Sequence, residues 1–442
     1  MERLIRSEFA RAAIFFCLWG MIVDRAGTAS AERPQDSPGA AVAESSASQV
    51  ESLAMLIQIV DQLETYVRTR DLASIHNEDI LLGFALGELL ARADLVAPDR
   101  VEHYKTDLIW FAQQVSALHR VADLNQQAQS ESELHRVMKA LKMVKTHFSE
   151  PVLAAALKRA VTFTCPMHRD VIGLETDLCP KCGMMLDQVV RILPGDPGIS
   201  TRFREALRAS VRTSEPLTVG KPATLHLTLH KANGDPVLPS DLIEAHAKKI
   251  HLLIVDSSLT DYHHEHPEPT PTPGEYVFSF TPRKPGNYRV WADLRAHPLG
   301  IQEYAMADIP GAASGEPLTD RSLSYNTNVN GRNYELILPD APLKVGRPAS
   351  ARLRITGADG KGFTGLEPVM AAFAHIVGFN EDYNTVLHMH PKGAPILDGA
   401  ARGGPELEFQ IYALRPGFVR LFAQVQIAGQ QEFAPFGIMV LP

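Results

Sequence analysis

The chain has 442 residues, and 45% of them are hydrophobic. At about 100 to 200 residues per domain, this length predicts roughly three domains, each with enough apolar side chains for a core. The formal net charge of −8, from 43 basic and 51 acidic residues, argues against a nucleic-acid groove or an anionic membrane surface as partner and favours cations.

The N-terminus, residues 1–31, has the pattern of a signal peptide. Three arginines precede the apolar run 12–23, and small residues close the segment at 29–31. Twelve apolar residues are too few to span a bilayer, which needs about 20 in a helix. We therefore expect export to the periplasm or exterior, with Cys17 removed, and an uncleaved anchor as the alternative.

Residues 32–49 are rich in Ser, Ala and Pro without an apolar period, which predicts a flexible linker. Over residues 50–158, apolar side chains recur at steps of three and four in four segments. This pattern predicts an antiparallel four-helix bundle. The bundle's histidines are scattered, and we interpret them as surface or capping residues: His76, His103, His119, His135 and His147.

An internal repeat begins beyond residue 200. The stretch from Glu215, "EPLTVGKPATLHLTLH", matches "APLKVGRPASARLRIT" from Ala341, so the period is about 125 residues. Short alternating strands between Gly and Pro turns predict two tandem immunoglobulin-like β-sandwiches at 200–312 and 325–442. The fold class is therefore multidomain α+β.

A short segment at 159–192, which we call the cassette, carries the three cysteines that follow the signal peptide. Cys179 and Cys182 form a C-P-K-C knuckle that lets two thiolates reach one ion, and Cys165 adds a third sulfur. His168 completes a four-ligand set. Neighbouring thioethers favour Cu(I), whereas three cysteines and one histidine also make a closed zinc site. A Cys179–Cys182 disulfide with Cys165 free is the alternative.

The motifs "FTCPMH" and "CPKCGMML" of the cassette resemble the heavy-metal-binding domain of copper-exporting P-type ATPases and of periplasmic adaptors of copper and silver efflux pumps. Arg169 replaces the proline usual after the histidine, and "LETD" replaces a proline and glycine. The resemblance covers about 30 residues. The ligands that it implies are Cys165, Met167, His168, Cys179, Cys182 and Met184.

Each predicted sandwich contains the histidine pattern H-x12-H-x-H-P. If the first and third histidines face each other across a hairpin, all three imidazoles lie on one side of the sheet, because side chains alternate along a strand. Such a triplet suits Cu(II) or Zn(II), with water or Asp261 as a further ligand. The alternative is a set of structural imidazoles bonded to loop carbonyls. The triplets are His251, His264 and His266, then His375, His388 and His390.

These features predict a non-enzymatic, extracytoplasmic protein that binds copper, or alternatively zinc, in sequestration, delivery or tolerance. The alternative is an accessory or adaptor of a metal efflux pump that docks through the cassette and bundle. A blue-copper enzyme needs a cysteine with two histidines, and no cysteine follows Cys182. The sequence shows no hydrolase or kinase motif, and we expect neither a nucleic acid nor a small-molecule substrate as partner.

Overall fold

The computed structural model describes residues 38–165, 167–168, 171–194, 196, 199, 207–245, 248–311, 318–339, 342–389 and 391–442. The predicted signal peptide lies outside these residues. The chain divides into two compact units, 1–41 and 42–442. All of the sites described below belong to the second unit.

The N-terminal part of the described chain is helical, as predicted. All four predicted segments are helices, and a fifth helix follows them that the sequence pattern did not predict, because its buried residues are alanines and not large apolar side chains. No helix among the described residues combines the length and apolar character needed to cross a bilayer. The helices are α1 (Pro38–Thr69), α2 (Asp79–Ala91), α3 (Val101–Asp123), α4 (Gln127–Lys145) and α5 (Glu150–Ala160).

Residues 38–49 are part of α1, so the predicted flexible linker at 32–49 is wrong over these positions. The segment is rich in alanine, the strongest helix former, and a proline stands at its first position, where a helix needs no backbone N–H donor. Helix propensity therefore outweighs the missing apolar period. Residues 32–37 lie outside the described residues.

The cassette contains a small three-stranded sheet, with β1 between β2 and β3. These strands are β1 (Phe163–Thr164), β2 (Ile172–Gly173) and β3 (Gln188–Val189). A small apolar cluster in the cassette contains Cys165, Cys179 and Leu186, and Phe163 of β1 packs against it.

The first β-sandwich packs a four-stranded sheet, β4-β5-β10-β9, on a five-stranded sheet, β12-β11-β7-β8 with β6 beside β11. Leu252 and Ile254 point from the second sheet into the core between them. The strands are β4 (Leu207–Thr213), β5 (Ala223–Lys231), β6 (Leu242–Ile243), β7 (Ile250–Asp256), β8 (Tyr262–Glu265), β9 (Glu268–Pro269), β10 (Glu275–Phe280), β11 (Tyr288–Ala296) and β12 (Gln302–Ile309).

The second β-sandwich repeats this plan, with sheets β13-β14-β16-β19 and β15-β21-β20-β17-β18. Its core is continuous with that of the helices. The strands are β13 (Asn326–Val329), β14 (Arg332–Ile337), β15 (Leu343–Lys344), β16 (Pro348–Thr356), β17 (His375–Asn380), β18 (Val386–Met389), β19 (Glu406–Tyr412), β20 (Gly417–Ile427) and β21 (Gln430–Leu441).

The two five-stranded sheets also pack on each other through their outer faces. Leu253 and Val255 of β7 meet Val377 and Phe379 of β17 in one buried cluster, together with Trp291. Side chains alternate along a strand, so β7 is buried on both faces. The face that carries His251 is therefore the face between the two sandwiches.

Gln58 of α1 ties the cassette to the helices. Its buried side chain donates from Nε2 to the carbonyls of Ala160, at 3.1 Å, and Val190, at 2.8 Å. Its Oε1 accepts from the backbone N–H of Ile192 at 2.9 Å. One amide thus holds both ends of the cassette.

Replacing Gln58 with alanine should lower the free energy of unfolding by about 2–4 kcal/mol, because buried backbone groups lose their partners. Urea unfolding followed by circular dichroism measures the change. Gln129→Ala is the matched control, since Gln129 is an exposed glutamine in α4. An equal, small effect of both substitutions would show that the amide does not hold the cassette.

Candidate metal centres

The backbone of the cassette turns tightly around Cys179. The Cys179 carbonyl accepts N–H groups from Cys182, at 3.3 Å, and Gly183, at 2.7 Å, and its own N–H donates to the Met184 carbonyl at 2.7 Å. Gly183 has φ +72°, a conformation that favours glycine. This turn is the knuckle expected from the C-P-K-C spacing.

The knuckle and the strand end after β1 bring four ligand atoms together. Cys165 Sγ lies 3.5 Å from Cys182 Sγ, and His168 Nδ1 lies 3.8 Å from Cys165 Sγ and 3.5 Å from Cys179 Sγ. One ligand atom of each of the four residues lies within 4.8 Å of the others. The arrangement has the donor set of a closed site of three cysteines and one histidine.

The environments of the thiols differ. Cys165 and Cys179 are buried, and Cys182 is exposed. Burial alone raises the pKa of the Cys179 thiol, but the backbone N–H groups of Lys181 and Cys182 outweigh it and lower the pKa to about 7. A thiol with a lowered pKa supplies the thiolate, the form that binds metal.

Both predicted thioether ligands are exposed. Met167 is 70% exposed and Met184 is 44% exposed. Among the predicted cassette ligands, the structure gathers the three cysteines and His168, and the role of the two exposed methionines as ligands stays a prediction. All three cysteines are free, so the structure contains no disulfide between Cys179 and Cys182.

The first histidine triplet converges on one patch. Leu252 pairs with Glu265 across β7 and β8, and this register places His251 opposite His266, as the hairpin prediction assumed. His251 Nδ1 lies 3.2 Å from His264 Nε2 and 3.1 Å from His266 Nε2. Three imidazole nitrogens thus face one another at short distance.

Hydrogen-bond partners outside the triplet fix the orientation of two of these rings. His251 Nε2 lies 3.0 Å from the Ala245 carbonyl, and His264 Nδ1 lies 2.8 Å from Oε1 of Gln424 in the second sandwich. Such bonds set the tautomer and make the other ring nitrogen the ligand atom. Burial, followed by the charges of His251 and Lys248, lowers the pKa of His266 to about 4, so this ring is neutral at pH 7.

Asp261 does not join the triplet. Its carboxylate lies on the opposite side of β8, 3.0 Å from His263 and 2.6 Å from the Arg283 guanidinium. Tyr288 donates its hydroxyl to the same carboxylate at 2.5 Å. These partners hold the pKa of Asp261 well below its usual range against the effect of burial, and the suggestion that Asp261 is a further ligand is wrong.

The second triplet is described only in part. His375 repeats the setting of His251, since its Nε2 lies 3.1 Å from the Val369 carbonyl. Val377 pairs with His388, which gives β17 and β18 the register of the first copy. The side chain of His388 and the whole of His390 lie outside the described residues, so this triplet stays a prediction.

A third convergent group, His76, His119 and Asp123, was not predicted from the sequence, where both histidines were interpreted as surface or capping residues. His119 and Asp123 are four residues apart on α3 and therefore share a face, a signal that the sequence did contain. His76 comes from a separate 3-10 helix, Leu72–Glu78, and only the tertiary fold brings it there.

A family model matches most of the residues of the two sandwiches. Residues 205–302 and 327–441 match a family described as "Domain of unknown function (DUF8832)". The matched stretches leave out the helices and the cassette. No curated protein matches the chain.

Many solved structures are similar to parts of the chain. The adhesin FdeC of Escherichia coli is 15% identical, over 54% of this chain and 65% of that one, with a TM-score of 0.17. An alpha-2-macroglobulin mutant of Salmonella is 13% identical, over 54% of this chain and 15% of that one, with a TM-score of 0.18. The chain spans less than two thirds of either structure, and at these TM-scores the likeness carries no argument.

The state of the thiols is directly testable. In metal-free protein prepared without oxygen, iodoacetamide should modify Cys182 before Cys165 and Cys179, because only Cys182 is exposed. After unfolding in guanidinium without reductant, all three should react, as peptide mass spectrometry will show. Modification of Cys165 alone after unfolding would establish the Cys179–Cys182 disulfide instead.

Proposed function

We propose that this chain is a non-enzymatic, extracytoplasmic protein that binds a soft or borderline heavy-metal ion for sequestration, delivery or tolerance. The cassette is the main site, and copper is the proposed ion, with zinc as the alternative. The observation that carries the proposal is the convergence of Cys165, Cys179, Cys182 and His168, whose ligand atoms lie within 4.8 Å of one another.

The spacing of the sulfurs supports an ion at their centre. Metal–sulfur bonds of about 2.3 Å at tetrahedral angles put two sulfurs about 3.8 Å apart. Cys165 and Cys182 have their sulfurs 3.5 Å apart, close to that value. Thiolates so near each other repel unless a cation lies between them, and Cu(I) and Zn(II) are the ions that thiolate ligands select.

The first histidine triplet is proposed as a second site of harder character. His251, His264 and His266 offer imidazole nitrogens only, a set that suits Cu(II) or Zn(II) better than Cu(I). By the internal repeat, the proposal includes His375, His388 and His390 as its counterpart. Met167 and Met184 are proposed as further ligands of the cassette ion, because thioether groups bind Cu(I).

The proposal also covers the arrangement of the helices and sandwiches and the export of the protein. We take α1 to α4 as a bundle and the two sandwiches as immunoglobulin-like domains. Export rests on the N-terminal sequence pattern. The net charge of −8 supports a cationic rather than an anionic ligand.

Metal stoichiometry tests this function. Protein purified without chelators and loaded with Cu(I) under anaerobic conditions should lose about one ion per chain when Cys165, Cys179 and Cys182 are all changed to serine, because serine removes the thiolates. Elemental mass spectrometry measures the loss. The same variant loaded with Zn(II) shows whether zinc uses the cassette.

The control is Met185→Leu, which removes an exposed sulfur of the cassette that is not among the proposed ligands. This variant should keep the wild-type copper content. Equal copper content in the wild type and the triple serine variant would contradict the proposed function.

A further inference from the structure

Three side chains of the helical region meet in a small triangle. His76 Nε2 lies 2.8 Å from Asp123 Oδ1, His119 Nε2 lies 3.3 Å from the same oxygen, and the two Nε2 atoms are 3.3 Å apart. Bonds of about 2.1 Å to one ion at octahedral or tetrahedral angles separate ligand atoms by about 3.0 to 3.4 Å. The triangle has almost these dimensions.

The tautomer of His119 leaves one ring nitrogen for the triangle. His119 Nδ1 lies 2.9 Å from Asp79 Oδ2, so the hydrogen of a neutral ring belongs on Nδ1. Nε2 of the neutral ring then carries a lone pair and lies 3.3 Å from both Asp123 Oδ1 and His76 Nε2. A cation inside the triangle can bind all three atoms at once.

Charged side chains surround the His119 ring. Nη2 of Arg295 lies 3.2 Å from Nδ1 and 3.0 Å from Nε2. The carboxylates of Asp79 and Asp123 lie 2.9 Å from Nδ1 and 3.3 Å from Nε2, respectively. Two negative charges against one positive charge favour a cation at the triangle.

Asp79 supplies the outer support that metal-bound histidines require. It is buried, accepts from His119 Nδ1 and is held by Nη2 of Arg295 at 2.9 Å. A carboxylate behind the distal nitrogen fixes the orientation of the ring and raises its basicity as a ligand. With Asp79, Asp123 and Arg295 charged and both imidazoles neutral, the group offers an ion a net charge of −1.

We propose that His76, His119 and Asp123 form a further metal site that takes a first-row divalent ion such as Zn²⁺, Fe²⁺ or Co²⁺. Two imidazoles and one carboxylate suit these ions and, without sulfur, do not suit Cu(I). Three protein ligands leave coordination positions open. The Asp123 side chain is 31% exposed, so the site opens to solvent on that side.

This site is independent of the proposed function of the cassette, since the two share no residue. The two proposed sites select different ions. Soft ions bind the thiolates of the cassette, and borderline ions bind the imidazoles and the carboxylate at α3. Arg295 belongs to β11 of the first sandwich, so the ion and its carboxylate support lie where the helices meet that sandwich.

The test is equilibrium dialysis against Zn²⁺ followed by elemental analysis. Asp123→Asn and His76→Gln should each bind one ion fewer per chain than the wild type, because each removes a ligand. Asp79→Asn should keep the ion at saturating Zn²⁺ with a dissociation constant about 10- to 100-fold higher, since Asp79 positions His119 without touching the ion.

The matched control is His147→Gln. His147 Nε2 lies 2.7 Å from Asp107 Oδ2, an ion pair that also involves α3 but belongs to no ligand group of three among the described residues. This variant should keep the full zinc content. Circular dichroism and the melting temperature without metal will establish that the variants are folded.

Equal zinc content in folded Asp123→Asn and wild-type protein would overturn the proposal and leave the group as an ionic cluster between α3 and the first sandwich. Loss of an ion in the triple cysteine variant but not in Asp123→Asn would overturn it in the same way. Loss in Asp123→Asn alone would support this site and show that Zn²⁺ does not bind at the cassette.

Discussion

Electron-rich ligand atoms packed against one another are the constraint on which the proposed sites depend. Lone pairs of thiols, imidazoles and carboxylates at about 3 to 4 Å repel unless a proton or a cation lies between them. Three different backbone structures produce such contacts. A knuckle gathers thiols around Cys179, a hairpin faces His251 with His266, and one helical turn aligns His119 with Asp123.

The rest of the fold holds these contacts in place. The Gln58 amide fixes both ends of the cassette. Gln424 of the second sandwich orients His264 of the first, so the packing of two outer sheet faces positions the histidine triplet. Arg295 connects the first sandwich to Asp79 and thus to His119. Each group of ligands therefore depends on contacts between parts of the chain that are distant in sequence.

The spacing of residues along the chain was enough to predict two of these groups of ligands. Cys179 and Cys182 lie within one turn, and the alternation of a strand with a tight hairpin was enough to place His251 opposite His266. The approach of His76 to His119 could not be predicted, because it depends on how a 3-10 segment packs against α3. Asp261 was misplaced since it lies an odd number of residues from His264 and so faces away.

The most direct test of a metal-binding cassette is X-ray absorption at the metal edge, on protein loaded with one equivalent of Cu(I) or, separately, Zn(II). Coordination by the cassette predicts a nearest-neighbour set dominated by about three sulfurs at about 2.3 Å, with one nitrogen completing the set for zinc. In the triple serine variant these sulfurs should vanish from the spectrum. Nearest neighbours that are only nitrogen and oxygen at about 2.0 Å in the wild type would contradict metal binding by the cassette thiolates.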